Sequence, residues 1–70
     1  MAREIFNDPF LVEWTDDVQS HDEIRFGALG MIEQRVLFVA FAMRDEVIRI
    51  ISARRATAAE RRRYHNENQT

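Results

Sequence analysis

Apolar and polar residues alternate along most of the chain with a period of two, and helical chemistry replaces that period only near the end. In residues 10–15, Phe10, Val12 and Trp14 fall on one face of an extended segment and Leu11, Glu13 and Thr15 on the other, which predicts a strand. Residues 16–22 are polar and without a period, and predict a loop. Residues 23–29 alternate again, with Ile24, Phe26 and Ala28 directed at a core and Glu23 and Arg25 at solvent; a turn is expected from Gly30 onward. Residues 34–43 are apolar on both faces, Leu37, Val39 and Phe41 on one and Val36, Phe38, Ala40 and Ala42 on the other. That pattern marks a central strand covered on both sides. Arg44-Asp45-Glu46 reads as a turn, and residues 47–53 as a further strand in which Arg49 shares a face with Val47 and Ile51. Strands joined by such short turns predict an antiparallel meander. Ahead of them, residues 2–7 predict one or two helical turns, closed by Asp8-Pro9 because proline disfavours helical angles in the residue before it.

A turn at Arg54-Arg55-Ala56-Thr57 is expected to lead into a final helix. Thr57-Ala-Ala-Glu60 has the spacing of a capping box, in which the threonine hydroxyl and the glutamate carboxylate each bond the other's backbone amide. The helix has a thin apolar stripe, limited to Ala56, Ala59 and Tyr64, and is expected to fray over residues 66–70. The whole chain reads as a single domain over residues 1–70, of the α+β class, with an antiparallel sheet of about four strands and a C-terminal helix.

Seventy residues without cysteine make a domain that neither disulfides nor thiolate metal sites reinforce. A chain of this length buries only ~60% of its unfolded surface. No apolar run approaches the ~18 residues that cross a bilayer, and the first residues lack the apolar core of a signal peptide. A cytoplasmic, non-membrane protein is expected. The net charge of −2 conceals a polarity. Residues 1–46 carry four Arg against ten acids, whereas residues 47–70 carry six Arg against two acids; no Lys occurs anywhere. Arg49, Arg54, Arg55, Arg61, Arg62 and Arg63 share their stretch with a single acid, Glu60.

His21 and His65 lie apart, with no spacing that would hold a metal, so no metal or other cofactor is expected. His21 with Asp22 and Glu23 is a weak acid–base candidate. Gly27 and Gly30 have no phosphate-loop context and point to backbone geometry. The arginine cluster carries two readings. A run of charge is ordinarily a solvated helix face. Planar guanidinium groups also hold phosphate oxygens in pairs, and Arg49, Arg54, Arg55 and Arg61 are expected to converge on one such site. Cleavage of a phosphodiester also needs a base for the ribose hydroxyl and an acid for the leaving oxygen. Glu60, Tyr64, Glu23 or a histidine can supply these, and Tyr64 can instead be a ring that anchors the helix.

The run Glu23-Ile-Arg-Phe-Gly-Ala-Leu-Gly30, then Arg35-Val-Leu-Phe-Val39, then Arg49-Ile-Ile-Ser-Ala-Arg-Arg-Ala-Thr57 with Glu60-Arg61 and Tyr64, resembles the BrnT family. Asn7-Asp8-Pro9 also resembles the family's segment before its second strand. These are ribonuclease toxins of type II toxin–antitoxin systems, distantly similar in fold to RelE. The resemblance implies a metal-independent ribonuclease that inhibits translation. It also implies neutralisation by a BrnA-like antitoxin carrying a ribbon-helix-helix domain, in an oligomeric complex. The resemblance implies family sites at Arg49, Arg54, Arg55, Arg61 and Tyr64; Arg49, Arg54, Arg61 and Tyr64 are expected to be catalytic, and Arg25, Arg55 and Arg62 to bind RNA phosphate. The sequence departs from the family at its start, where members usually carry a strand and a helix of the type Phe-x-Trp-Asp…Lys-His-Gly. An N-terminally short form is therefore expected, with a bare apolar sheet face and a bare edge at residues 10–15 that favour homo-oligomers. The alternative function is an antitoxin-binding and dimerising module without ribonuclease activity; a third is a dimer-forming domain with solvated arginines.

Overall fold

A computed structural model describes residues 2–20 and 23–68, with the backbone alone for Ala2 and residues 16–20. A 3₁₀ helix, Ala2–Asn7, leads into four strands, β1 (Val12–Ser20), β2 (Glu23–Ile32), β3 (Arg35–Arg44) and β4 (Val47–Arg55), and then a helix, α1 (Ala58–Glu67). The strands form one antiparallel sheet in the order β1-β2-β3-β4. The α+β meander read from the alternation is the observed fold. RelE likeness is a separate matter, on which the sheet order alone says nothing.

The 3₁₀ helix covers one face of the sheet and α1 part of the other. Under the 3₁₀ helix, Ile5 packs with Ala28, Val39 and Phe41. The Phe41 ring meets Phe6 edge-on at 5.1 Å and stacks on Phe26 at 5.0 Å. Gly30 makes this contact possible: a Cβ there would stand 2.7 Å from the Ile5 Cβ. Under α1, Val12, Leu29 and Val36 pack with Ala56 and Tyr64. β3 contributes to both clusters, Val36 and Phe38 to one and Val39 and Phe41 to the other, as its two apolar faces predict. α1 itself buries only Tyr64, so polar links must do much of its docking.

Several expectations are corrected. Residues 16–20, expected in a loop, continue β1, because ladder bonds to β2 extend past the last apolar position; Asp16 lies opposite Arg25 and Ser20 opposite Glu23. His21 and Asp22, the other members of the acid–base candidate, lie outside the described residues. β2 runs through Gly30 to Ile32, and the turn falls on Glu33-Gln34, both at positive φ (50° and 68°). Asp45-Glu46 turns the same way, at 52° and 67°. Two consecutive positive-φ residues suit the right-handed strand twist, and glycine is not obligatory there. Arg54 and Arg55 belong to β4 rather than to a turn, paired with Phe38 and Leu37. A bulge sets Ser52 opposite Ala40 but Ile50 opposite Phe41, leaving Ile51 as the extra residue. The helix extends over residues 66 and 67, and Asn68 donates to the Phe10 and Tyr64 carbonyls at 3.0 and 2.7 Å. Ala59, placed in the helix stripe, is exposed, as is Ile24, expected in the core. Among the described residues, Phe10, Val47 and Ile51 are the other exposed large apolar ones. No helix among the described residues is long and apolar enough to cross a membrane.

Candidate functional site

The capping box predicted at Thr57 is present: the Thr57 hydroxyl accepts from the Glu60 amide at 3.2 Å and the Glu60 carboxylate from the Thr57 amide at 2.8 Å. The same carboxylate takes both Arg54 Nη atoms, at 2.8 and 2.9 Å. Arg54 thus reaches from β4 to α1 while its guanidinium lies 4.5 Å over the Phe38 ring. The hydrogen bonds from Arg54 pull the Glu60 pKa down to about 2, against the opposing push of burial, and the Thr57 amide adds to the pull. The same partner raises Arg54 above its ordinary value.

A second clamp holds the middle of α1. Tyr64 is buried and its hydroxyl donates to Asp8 Oδ2 at 2.5 Å. That oxygen also accepts the Met31 amide at 2.8 Å, and Asp8 Oδ1 accepts the Phe10 amide at 2.9 Å. The Phe10 bond is the two-residues-on contact by which aspartate stabilises a turn, and it prepares the chain for β1. Burial pushes the Asp8 pKa up, but the bonds from Tyr64, Phe10 and Met31 together outweigh it and the net shift is downward. Burial, and then Asp8, push the Tyr64 phenol up to about 12. The phenol stays neutral and the carboxylate charged, a stable donor–acceptor pair.

With these clamps in place, the start of β3 and the end of β4 come together under one side of α1. Arg35, Arg55, Arg61 and His65 line an open groove of about 240 Å³ there, with Met31, Gln34, Val36 and Ala56. Arg61 and His65 stand four residues apart and so on one helix face. Arg61 Nη1 is steered by a 3.0 Å bond to the Ala56 carbonyl, while the Ala56 amide bonds the Val36 carbonyl at 3.0 Å. Among the described residues, none of Arg35, Arg55 and Arg61 forms an ion pair. A larger cavity of about 330 Å³ also touches Arg54 and Arg55, but Glu4 and Glu33 share it, and two carboxylates repel an anion.

The structure therefore joins Arg55 to Arg61 and does not bring Arg49 to them. Arg49 lies six residues before Arg55 in β4, a run of about 20 Å in a strand. Its guanidinium grips Glu23 at 2.6 and 3.2 Å, beside Arg44 and Asp45. The convergence of four arginines expected from sequence is corrected to two, because the stretch holding Arg54 and Arg55 is extended rather than folded back. Arg25 lies in β2 opposite Ala42, which in turn faces Arg49, and its buried Nε has no hydrogen-bond partner. Arg62 is an exposed residue of α1. Sequence reasoning missed Arg35, which only the hairpin register brings to the groove, and held His65 only as one unselected histidine among the proton-transfer candidates. It also missed Asp8 as an anchor, although the Asp-Pro pair signals a structured turn.

A four-stranded antiparallel meander with a clamped terminal helix defines a small α+β domain. Residues 1–60 match the family described as "Ribonuclease toxin, BrnT, of type II toxin-antitoxin system". The chain belongs to this family. Arg61, Tyr64 and His65 lie beyond the matched residues. No curated protein and no solved structure matches the chain.

Proposed function

We propose that the chain binds RNA and cleaves its backbone at the groove formed by Arg35, Arg55, Arg61 and His65. The observation that carries this reading is the set of three arginines facing one groove without a carboxylate partner among the described residues. In this reading Arg55 and Arg61 hold the phosphate and offset the charge that grows on its oxygens as the ribose hydroxyl attacks. His65 is the proton-transfer group, since imidazole both accepts and gives a proton. Arg54 and Tyr64 act by fixing α1, and Arg25, Arg49 and Arg62 extend the cationic surface along the RNA. The reaction is assigned no metal, because a groove lined by three cations repels a further one. Cleavage of this kind slows translation, and a BrnA-like ribbon-helix-helix antitoxin in an oligomeric complex is the proposed partner, in the cytoplasm.

The test is cleavage of a single-stranded RNA by the purified chain in the presence of a chelator. The Arg55→Ala/Arg61→Ala variant is expected to lose about 10²–10³-fold in rate, the usual effect of removing a charge-stabilising donor, at unchanged melting temperature. It should also bind with a shallower salt dependence, by ~0.7 per lost phosphate contact on a log–log plot. RNA that stays intact across a wide range of protein concentration refutes the enzyme reading; binding without cleavage favours the antitoxin-binding module instead.

A further inference from the structure

The opposite side of α1 carries a second device that the phosphate groove does not use. Trp14 lies flat on the sheet. A Cβ at Gly27 would stand 2.5–2.8 Å from Cζ2, Cε2 and Nε1 of the indole, so the ring rests on bare backbone at the one position where a side chain would lift it. Its other face is covered by the Arg63 guanidinium, 4.2 Å from the ring centroid. Beside it the Phe38 ring lies 6.0 Å away at a 36° tilt, itself covered by Arg54 at 4.5 Å. Two aromatic rings on one sheet face thus stand under two planar cations.

This arrangement exceeds what packing requires. A core tryptophan is normally covered by apolar side chains, whereas Trp14 is half-buried and roofed by a side chain that is 46% exposed. Among the described residues the roof is held by a surface pair with Glu67, Nε to Oε2 at 2.7 Å, a type of pair that contributes little. Aromatic rings and guanidinium planes are the surfaces on which unpaired bases stack.

We infer that the Trp14 indole is a stacking platform for one base of single-stranded RNA, with the Arg63 guanidinium as a planar cover that the base displaces or stacks upon. This rests on the proposal that the chain acts on RNA and adds how it reads an unpaired segment: by stacking, with little preference among bases.

Trp14 is the only tryptophan, so intrinsic fluorescence reports on the platform alone. The full chain is titrated with a 2′-O-methyl RNA hexamer, which binds without being cleaved, and with an abasic oligomer of the same length and charge. The hexamer is expected to quench Trp14 emission and to bind roughly five- to a hundred-fold more tightly than the abasic oligomer, the range for one stacked base. Trp14→Leu should lose about the same factor toward the hexamer and nothing toward the abasic oligomer. Equal affinity for the two oligomers with unchanged emission overturns the platform and leaves RNA binding intact. Failure of both oligomers to bind overturns both proposals. The comparison of oligomers uses the unaltered chain, so it decides the matter even where Trp14→Leu fails to fold.

Discussion

Tyr64→Phe removes one oxygen and keeps the ring, and so separates anchoring from chemistry. The lost bond runs from a buried hydroxyl to an ionised carboxylate at 2.5 Å, a class with a net contribution of ~1.5–3 kcal/mol. Asp8 retains the Phe10 and Met31 amides and is not orphaned, which places the effect at the lower end, about 1.5 kcal/mol. A chain of this size has a total stability on the order of 4–10 kcal/mol, and each kcal/mol moves the midpoint of a small domain by ~4–8 °C. The variant should therefore melt roughly 6–12 °C lower. The folded phenol pKa of about 12 lies above its ordinary 10.0, so the contribution of the hydroxyl is fully present below pH 10 and is lost as pH rises through about 12. Asp8 is shifted downward, so its contribution is present above the ordinary carboxylate range and is lost as pH falls through its folded value; in Tyr64→Phe that acid limb should be smaller, because the folded value loses one of the bonds that lower it. Thermal melts followed by circular dichroism across pH, with a double-mutant cycle against Asp8→Asn, read these quantities. Strictly additive effects in the cycle, or a melting change under ~2 °C, refute the clamp. RNA cleavage should fall only modestly per folded molecule, because the Arg54–Glu60 clamp still orients α1; a hundred-fold loss at full folding would instead make Tyr64 a reacting group.

Two further substitutions probe the other unusual features of the frame. Glu60→Gln abolishes the charge that holds Arg54 but keeps a side chain that can complete the capping box, and should cost no more than about 1 kcal/mol at neutral pH because the pair is partly exposed. The Glu60 pKa of about 2 lies below its ordinary 4.5, so the wild-type advantage is complete above pH 4.5 and vanishes as pH falls through about 2; a constant difference across that window in urea titrations would contradict the assignment. Gln34→Gly places glycine at the second positive-φ position of the β2–β3 turn, where its freedom outweighs the added chain entropy of the unfolded state by ~0.5–1 kcal/mol, and calorimetry should show a rise in melting temperature of a few degrees.

Where apolar spacing or capping chemistry sets an element, the sequence reveals it. The two apolar faces of β3, the alternation of Val12 and Trp14, and the Thr57 cap all appear as read. The turn at Glu33-Gln34 was invisible because neither residue is a usual positive-φ residue, and the nearest glycine, Gly30, drew the turn to itself. Its actual task is steric, to admit Ile5, and no local pattern announces a contact with a residue so distant in sequence. The end of β4 was misplaced for a related reason. Arg54 and Arg55 have no apolar alternation, yet they pair with Phe38 and Leu37. The arginine groove was legible only in part, since Arg55 and Arg61 are close in sequence but Arg35 reaches them through hairpin register.

The arginines divide by what neutralises them, and that division connects stability to function. Arg49 is tied to Glu23, Arg54 to Glu60 and Arg63 to Glu67, whereas Arg35, Arg55 and Arg61 face the groove with no acid among the described residues. Packing like cations together costs free energy, and the frame must absorb it. α1 has little apolar surface for that purpose, burying Tyr64 alone. The Arg54–Glu60 bridge at its N-terminal end and the Tyr64–Asp8 bond further along supply the attachment instead. Both attachments are polar and directional, so they fix the rotation of the helix as well as its position. That rotation sends Arg61 and His65 to one side of the helix and Arg63 to the other. A helix docked by a broad apolar stripe could roll without much loss. Here a roll breaks either clamp and scatters the groove, so the capping box and the Asp8 turn, which look purely structural, set the geometry of the cationic surface.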